Sequence, residues 1–237
     1  MNRDMIEQIL GRLRSTVLNY DVAGAERVAR EAAEAGIDPL EAIETGLTPP
    51  VREVGELFAR GEVFLPELIM AGEAMKAGTA VLQPLISKGK EIHHKGRVVI
   101  GTVAGDLHDI GKSIVVAMLV AEGFDVVDLG VDVPAKRFVE EARRLNADIV
   151  ALSALLTSAL PEMKHVIQLL EGEELRRAAK VLVGGAATTR RYAESIGSDG
   201  WGGDAVEAVK EAVRLTKADK ASPLTEETSR KRGSETK

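Results

Sequence analysis

The first 88 residues have a hydrophobic pattern with the period of helices. Apolar residues recur every three or four positions, and alanine and glutamate are frequent. Asp38 followed by Pro39 is typical of a helix start, since aspartate caps a helix and proline fits its first turn. Breaks in the pattern lie at 19–24, 35–39, 48–50 and 61–66. The pattern therefore predicts a bundle of four or five helices over residues 1–88.

The pattern changes after residues 89–96, a polar and glycine-containing stretch that we interpret as an interdomain linker. Short valine-rich runs then end in glycine or small polar residues at 97–103, 124–130, 148–153 and 180–185. Helix-length stretches separate them at 110–122, 135–146 and 160–171. Because buried parallel strands have continuous apolar runs, this alternation predicts a parallel sheet with helices on both faces.

The end of the chain completes this α/β domain. A short strand near 198–201 and a helix over 203–216 would give five βα units, as in flavodoxin-like and Rossmann-like folds. The sequence thus predicts an all-α cap followed by a five-stranded domain over residues 97–216. Residues 217–237 are polar and almost free of large apolar side chains, so we predict a disordered tail there.

Composition and charge narrow the function classes. The chain has 31 Lys and Arg against 37 Asp and Glu, a net charge of −6, which argues against nucleic acid as a main partner. It has no cysteine, which rules out disulfides and thiolate chemistry. No apolar stretch approaches the roughly 20 residues that span a bilayer, and the charged start lacks the apolar core of a signal peptide. We expect a cytoplasmic protein that does not enter membranes.

Candidate chemistry follows the first predicted strand. The stretch VAGDLHDIGKS, residues 103–113, places His108 between Asp106 and Asp109 in a glycine-flanked loop. A histidine after a strand is more often a surface or capping residue than a ligand. A zinc site needs three or four ligands, and no cysteine or second nearby histidine supports His108.

Two further loops are expected at the same edge of the sheet. In an open parallel sheet, ligands bind beyond the carboxyl ends of the strands. The loop of His108 would meet there the segments 152–158 and 182–189, which follow the third and fourth strands. Gly184 and Gly185 would let a bulky ligand approach the backbone, although a Gly-Gly pair after a strand is commonly only a turn.

Taken together, these residues resemble the DxHxxG…SxL…GG signature of cobalamin-binding domains. The signature is carried by Asp106, His108, Gly111, Ser153, Leu155, Gly184 and Gly185. Residues 53–75 resemble the helical cap of cobalamin-dependent methionine synthase and of the small corrinoid proteins of methanol, methylamine and aryl-methyl-ether methyltransferase systems. The resemblance covers roughly residues 5–216. Since the chain begins and ends with these two modules, it favours the stand-alone corrinoid proteins.

The resemblance implies a corrinoid cofactor and a set of residues that hold it. His108 would replace the cofactor's own dimethylbenzimidazole as the lower ligand of cobalt, and Asp106 would hold the other ring nitrogen as its catalytic partner. In methionine synthase a serine continues this pair. Ala159 is at that position here with Ser158 beside it, so only the pair is predicted, and a substitute role for Ser158 stays open. The expected contacts are Gly105, Leu107, Asp109 and Gly111 at the lower face; Ser153, Leu155, Thr157, Gly184, Gly185 and Ala205 along the nucleotide tail; and Glu44, Phe58 and Leu65 from the cap.

The resemblance also implies a role as a methyl carrier. The chain would accept a methyl group on cobalt from a substrate-specific methyltransferase and pass it to a second one, with tetrahydrofolate or coenzyme M as acceptor. A reductive activation protein is a further implied partner. The chain would then be a subunit of a methyltransferase system in one-carbon metabolism, not catalytic alone. The methyl donor is not encoded in these residues.

Three other functions remain open at this stage. The small subunit of an adenosylcobalamin mutase shares the DxHxxG domain but normally pairs it with a barrel. A cobalamin-dependent light sensor and regulator uses a cap tryptophan, whereas the only tryptophan here is Trp201 in the second domain. A flavodoxin-like domain without cobalamin, such as a phosphoacceptor, would leave the spacing of three motifs to chance.

Overall fold

The fold comes from a computed structural model, which describes residues 3–86 and 93–220, with side chains to residue 217. Its first half is helical, as predicted. The helices are α1 (Arg3–Leu18), α2 (Val22–Glu34), α3 (Pro39–Glu41), α4 (Thr48–Ala59) and α5 (Leu65–Leu82), with a π-helical segment at Ala42–Leu47 and a 3₁₀ turn at Gln83–Leu85. The Asp38 side chain accepts a hydrogen bond from the Leu40 N–H, so α3 begins at the predicted cap.

The second half is a five-stranded parallel sheet with helices. The strands are β1 (Arg97–Thr102), β2 (Asp125–Asp128), β3 (Ile149–Ser153), β4 (Lys180–Gly184) and β5 (Gly200–Gly202). The helices are α6 (Ile110–Glu122), α7 (Ala135–Leu145), α8 (Leu160–Gly172), α9 (Arg190–Ser195) and α10 (Ala205–Lys220). The strand order β2-β1-β3-β4-β5 is flavodoxin-like, so the order reverses between β1 and β3.

The structure departs from the predictions at short and terminal segments. Helix α9 was not predicted, because its six residues are too few to give a periodic pattern. Helix α10 runs four residues beyond the predicted end, so residues 217–220 are helical and not part of a tail. Residues 221–237 of the predicted tail and 89–92 of the predicted linker lie outside the described residues.

Alternate residues of the strands face two different cores. Val98 and Ile100 of β1 pack in one cluster with α6, α10 and the helical half, whereas Val99 packs in a second cluster with Phe138 of α7 and Met163 of α8. This alternation follows from the period of two residues along a strand. The first cluster is continuous between the two halves of the chain, so they share one core.

The helical half lies against the carboxyl end of α6. Gly55 of α4 is so close that a Cβ atom there would lie 2.8 Å from the Cβ of Ala121, and Gly72 of α5 faces Val120 in ordinary contact. Small residues at these positions allow the helix backbones to approach. In the part of the chain that the structure describes, no helix is both long and apolar enough to cross a bilayer.

Two glycine-to-alanine substitutions test this packing. Gly11 lies exposed in α1 with nothing near its missing Cβ, so Gly11→Ala should raise the free energy of unfolding by about 0.5–1 kcal/mol through helix propensity. Gly55→Ala has the same propensity gain but overpacks against Ala121, and we expect a net loss of about 1–2 kcal/mol. Urea unfolding measures both, and stabilisation by Gly55→Ala would contradict the close approach of α4 and α6.

Candidate functional site

The loop after β1 holds His108 by its backbone and by its ring. The His108 N–H donates to Asp106 Oδ1 over 3.0 Å, and the His108 carbonyl accepts from the buried Thr102 hydroxyl over 2.8 Å. The ring Nδ1 lies 2.7 Å from the same Asp106 Oδ1. Three contacts to two buried neighbours thus set the position and the orientation of an imidazole that is 55% exposed.

Asp106 is fully buried and accepts four hydrogen bonds. Its Oδ1 takes the two from His108, and its Oδ2 accepts the backbone N–H of Leu155 over 2.6 Å and that of Leu156 over 2.9 Å. A carboxylate has about four lone-pair sites, so these donors satisfy it. The carboxylate therefore joins the loop after β1 to the loop after β3, and none of these four donors is a serine.

These hydrogen bonds decide the charge of the Asp106–His108 pair. Burial alone would raise the pKa of Asp106, but the N–H donors of His108, Leu156 and Leu155 outweigh it and hold the pKa well below its usual range. Asp106 is then a carboxylate that can only accept hydrogen bonds. The Nδ1 of His108 must donate, so the neutral ring carries its lone pair on Nε2.

A cavity of about 480 Å³ opens beside His108 at the carboxyl ends of the strands. Nine of the predicted contact residues line it: Leu107, His108, Asp109, Gly111, Ser153, Leu155, Gly184, Gly185 and Ala205. Apolar side chains of Ile100, Val115 and Leu182 line it further. No atom lies within 4 Å of the position that a Cβ would take at Gly111, so this wall leaves open space for a ligand.

Glycines at the far end of the cavity are required by the backbone. Gly185 has φ +102°, and a Cβ there would collide with the carbonyl oxygen of Ala154. At Gly202, a Cβ would lie 2.6 Å from the Cα of Ala208 in α10. The Gly-Gly turn therefore brings β4 and the loop after β3 together, and glycine at 202 brings β5 and α10 together.

Six predicted cofactor-binding residues do not line the cavity, and one of them is the fully buried Asp106. Gly105 lies in the loop before His108 with φ +81°, and Thr157 is exposed in the 3₁₀ turn Thr157–Ala159. In the helical half, Glu44 is exposed in the π-helical segment, and Phe58 and Leu65 are half-buried. The helical half packs at the carboxyl end of α6, about ten residues or roughly 15 Å along the helix from its start near His108.

Sequence reasoning missed three polar residues around the loop. Thr102 looks like an ordinary strand residue, yet its hydroxyl holds the His108 carbonyl. Lys112 has the one buried ammonium group in the described structure, lines the cavity and pairs with Asp128 at the end of β2. Asp132 accepts the Gly105 N–H. The only signal for Lys112 was a lysine inside a strongly apolar helix.

Comparisons with known proteins confirm the resemblance to cobalamin-binding proteins. Residues 96–210 match the B12 binding domain family, and residues 9–83 match a second B12 binding domain family. The chain is 46% identical to dimethylamine corrinoid protein 1 of Methanosarcina acetivorans, over 88% of this chain and 98% of that protein. The chain belongs to the B12-binding corrinoid proteins. It is also 44% identical to trimethylamine corrinoid protein 2 of the same organism, over 88% and 98% of the two chains.

The structure of this corrinoid family member is also similar to solved structures of cobalamin-related proteins. The structure matches a chain of the methanol:cobalamin methyltransferase complex MtaBC from Methanosarcina barkeri with a TM-score of 0.79 and 28% identity, over 89% of this chain and 80% of that chain. It also matches a cobalamin-binding protein from Desulfitobacterium hafniense with a TM-score of 0.60 and 33% identity, over 87% and 98%. The all-α cap followed by a five-stranded parallel domain is thus the family's fold.

Asp106→Asn tests the four hydrogen bonds of the buried carboxylate. The amide replaces one acceptor oxygen with an NH₂ group, which must face an N–H of His108 or of the β3 loop. We expect the free energy of unfolding of the cofactor-free protein to fall by about 1–3 kcal/mol at pH 7. Because the native pKa of Asp106 is depressed, its contribution is complete above the unfolded pKa of about 4 and is lost as pH falls below it.

The control is the neighbouring Asp109, which caps α6 without a side-chain hydrogen bond and is exposed. Asp109→Asn should change the unfolding free energy by less than about 0.5 kcal/mol at pH 7. Urea unfolding at several pH values measures all three proteins. Equal stability of Asp106→Asn and wild type at pH 7, or a difference that persists unchanged at pH 3, would contradict the described network.

Proposed function

We propose that this chain is a methyl-carrying corrinoid protein that binds its cofactor with His108 as the lower ligand of cobalt. The observation that carries the proposal is the exposed His108 ring, oriented by a buried carboxylate at the edge of a cavity in a B12-binding domain. When bound, the corrinoid's cobalt supplies a centre that takes up and releases a methyl group. The names of the relatives, dimethylamine and trimethylamine corrinoid proteins, support the same role.

His108 and Asp106 would act together at the metal. The neutral imidazole presents the Nε2 lone pair, which suits a borderline metal such as cobalt. Asp106 fixes the tautomer and raises the basicity of the ring through Nδ1. Because Asp106 is itself held by the β3 loop, the ring would keep this orientation with a metal bound.

The cavity would hold the displaced nucleotide tail of the cofactor. Ser153 at the end of β3 offers a hydroxyl in this cavity, and Leu155 and Gly184 form its walls with Ala205 at the start of α10. The cavity is mostly apolar with few polar groups, which is the composition of cofactor sites in general. Leu107 and Ile110, which are 71% and 76% exposed, offer an apolar face to the corrin ring.

The helical half would act as a cap over the other face of the corrin. We keep Phe58, Leu65 and Glu44 as the proposed cap contacts, by their resemblance to the cap of methionine synthase. In this structure they do not line the cavity, because the helical half packs at the carboxyl end of α6. The proposal therefore requires the helical half to shift toward the start of α6 when it covers the cofactor. The large exposed side chain of Phe64 at the start of α5 is consistent with a surface that another group covers.

The partners in this proposal are enzymes of methyl transfer. A substrate-specific methyltransferase would methylate the bound corrinoid, and a second methyltransferase would pass the group to tetrahydrofolate or coenzyme M. The structural match to a chain of a methanol:cobalamin methyltransferase complex supports a methyltransferase partner. A reductive activation protein and a cytoplasmic location complete the proposal.

His108→Ala tests the ligation directly. The protein is loaded with cob(II)alamin whose benzimidazole nitrogens carry a ¹⁵N label, and its EPR spectrum is recorded. We expect nitrogen splitting that does not respond to the label in the wild type and is lost in His108→Ala, because the His108 imidazole would replace the labelled base as nitrogen donor to cobalt.

The matched control is His165→Ala on α8, since His165 is similarly exposed and lies beside Glu162. This variant should keep the wild-type spectrum. Histidine ligation would be refuted if the splitting changed with the labelled base. It would also be refuted if the wild-type protein did not bind cobalamin stoichiometrically.

Gly111→Ala separates cofactor binding from folding. The cofactor-free variant should be as stable as the wild type or slightly more so, because nothing crowds the new methyl group. The affinity for cobalamin should fall about tenfold, because the methyl group takes space in the cavity. Isothermal titration measures the affinity and urea unfolding the stability, with Gly11→Ala as the control; unchanged affinity in Gly111→Ala would place the corrin elsewhere.

A further inference from the structure

The loop between β2 and α7 runs beside the loop that carries His108. Val133 forms a parallel bridge with Val103, and its N–H donates to the Thr102 carbonyl over 3.0 Å. The Thr102 N–H in turn donates to the Gly130 carbonyl over 3.0 Å. The two loops therefore continue the pairing of β1 and β2 beyond the ends of the strands.

Asp132 of this loop forms hydrogen bonds with both ends of the dipeptide Gly105–Asp106. The dipeptide belongs to the loop that carries His108, called the histidine loop below. Asp132 Oδ1 accepts the Gly105 N–H over 2.7 Å, and the Asp132 N–H donates to the Asp106 carbonyl over 3.0 Å. Gly105 and Asp106 are adjacent, so the two hydrogen bonds fix the backbone from which the Asp106 side chain leaves. That side chain is the one that orients the His108 ring.

Asp132 has a backbone conformation that glycine would adopt more easily than aspartate. Its φ is +53°, in the left-handed region that glycine adopts most readily. Two residues earlier, the same loop uses glycine for such a conformation, at Gly130 with φ +88°. At position 132 glycine would serve the backbone equally well but would leave the Gly105 N–H without the carboxylate. The turn therefore does not require aspartate at position 132, but the hydrogen bond from the Gly105 N–H requires its side chain.

The other end of the loop is held by the buried lysine. Asp128 Oδ1 accepts the Gly130 N–H over 2.9 Å, and its Oδ2 accepts from the ammonium group of Lys112, a residue that is 4% exposed. Lys112 belongs to α6, the helix that begins directly after the histidine loop. The β2–α7 loop is thus connected to the histidine loop at Asp132 and to the following helix at Asp128.

We propose that Asp132 is a positioning residue for the Asp106–His108 pair. It acts through the Gly105–Asp106 backbone and not by touching the cofactor, and the inference rests on the proposed role of His108 as the metal's lower ligand. Without the Asp132 carboxylate, the dipeptide gains freedom, the Asp106 oxygen leaves the Nδ1–H more often, and the ring spends more time in the tautomer that cannot offer Nε2 to a metal.

The cofactor-free protein provides the first test. Long-range ¹H–¹⁵N NMR spectra of the imidazoles, recorded above the usual histidine pKa of about 6.5, report which ring nitrogen carries the proton. Comparison with His108→Gln assigns the signal among the four histidines of the chain. We expect the wild-type ring to carry its proton on Nδ1. In Asp132→Gly the ratio of the Nδ1–H to the Nε2–H form should fall about three- to tenfold. A change of this size in an equilibrium ratio corresponds to the net free energy of one typical hydrogen bond.

Two variants separate positioning from general stability. Asp132→Asn tolerates the same φ and keeps an acceptor oxygen for Gly105, so it should retain the wild-type tautomer ratio. Asn146→Gly is the control for strain, because Asn146 also has a positive φ, of +48°, at the end of α7 away from the histidine loop. It should leave the His108 ring unchanged. Asp132→Gly should unfold close to the wild-type urea concentration, since relief of the left-handed backbone offsets the lost hydrogen bond.

A wild-type tautomer ratio in Asp132→Gly would overturn the proposal. So would equal loss of the ratio in Asp132→Gly and Asp132→Asn, since the second retains the acceptor. The cob(II)alamin-loaded proteins give the second readout: the label-independent nitrogen splitting should weaken in Asp132→Gly and persist in Asp132→Asn. If the wild type shows no such splitting, the proposed ligation fails, while the tautomer ratios of the cofactor-free proteins still decide the role of Asp132.

Discussion

The buried carboxylate of Asp106 is the interaction on which the geometry of the sheet edge depends. A buried charge is costly unless hydrogen bonds replace its water, and here four N–H donors do so. Two donors belong to His108 and two to the loop after β3, so satisfying one carboxylate brings two loops together. They meet at the β1–β3 boundary, where the strand order reverses and open α/β sheets bind their ligands.

The two halves of the chain contribute differently to the site. The sheet half contains the histidine, its buried partner and the cavity, and its glycines at 185 and 202 allow the close backbone contacts that shape the far wall. The helical half shares a core with the sheet half through the carboxyl end of α6. A ligand that needs both halves therefore depends on their relative arrangement, whereas the position of His108 depends on the sheet half alone.

The sequence predicted what local patterns encode. The strands β1 and β3 agree with the predictions within one residue, because buried parallel strands are continuous apolar runs. Asp106 and His108 were picked out by the resemblance to the DxHxxG signature, in which a fixed spacing joins them. Asp132 and Thr102 were not, since their contacts depend on pairing between segments far apart in the chain. Thr157, Glu44, Phe58 and Leu65 were placed by resemblance, and their distance from a ligand depends on loop and domain geometry that no periodicity expresses.

An exposed histidine on a loop would ordinarily be a poor metal ligand, because ordering a free side chain on binding costs conformational entropy. In this protein the His108 side chain is already ordered by folding, so the entropy is lost before any ligand binds. The His108 N–H, its carbonyl and its Nδ1 are each bonded to Asp106 or Thr102, both fully buried. Only Nε2 remains for the cavity, and the orientation of its lone pair comes from the protein. Under the proposed function, a ring ordered in this way would bind the metal without a further loss of conformational entropy.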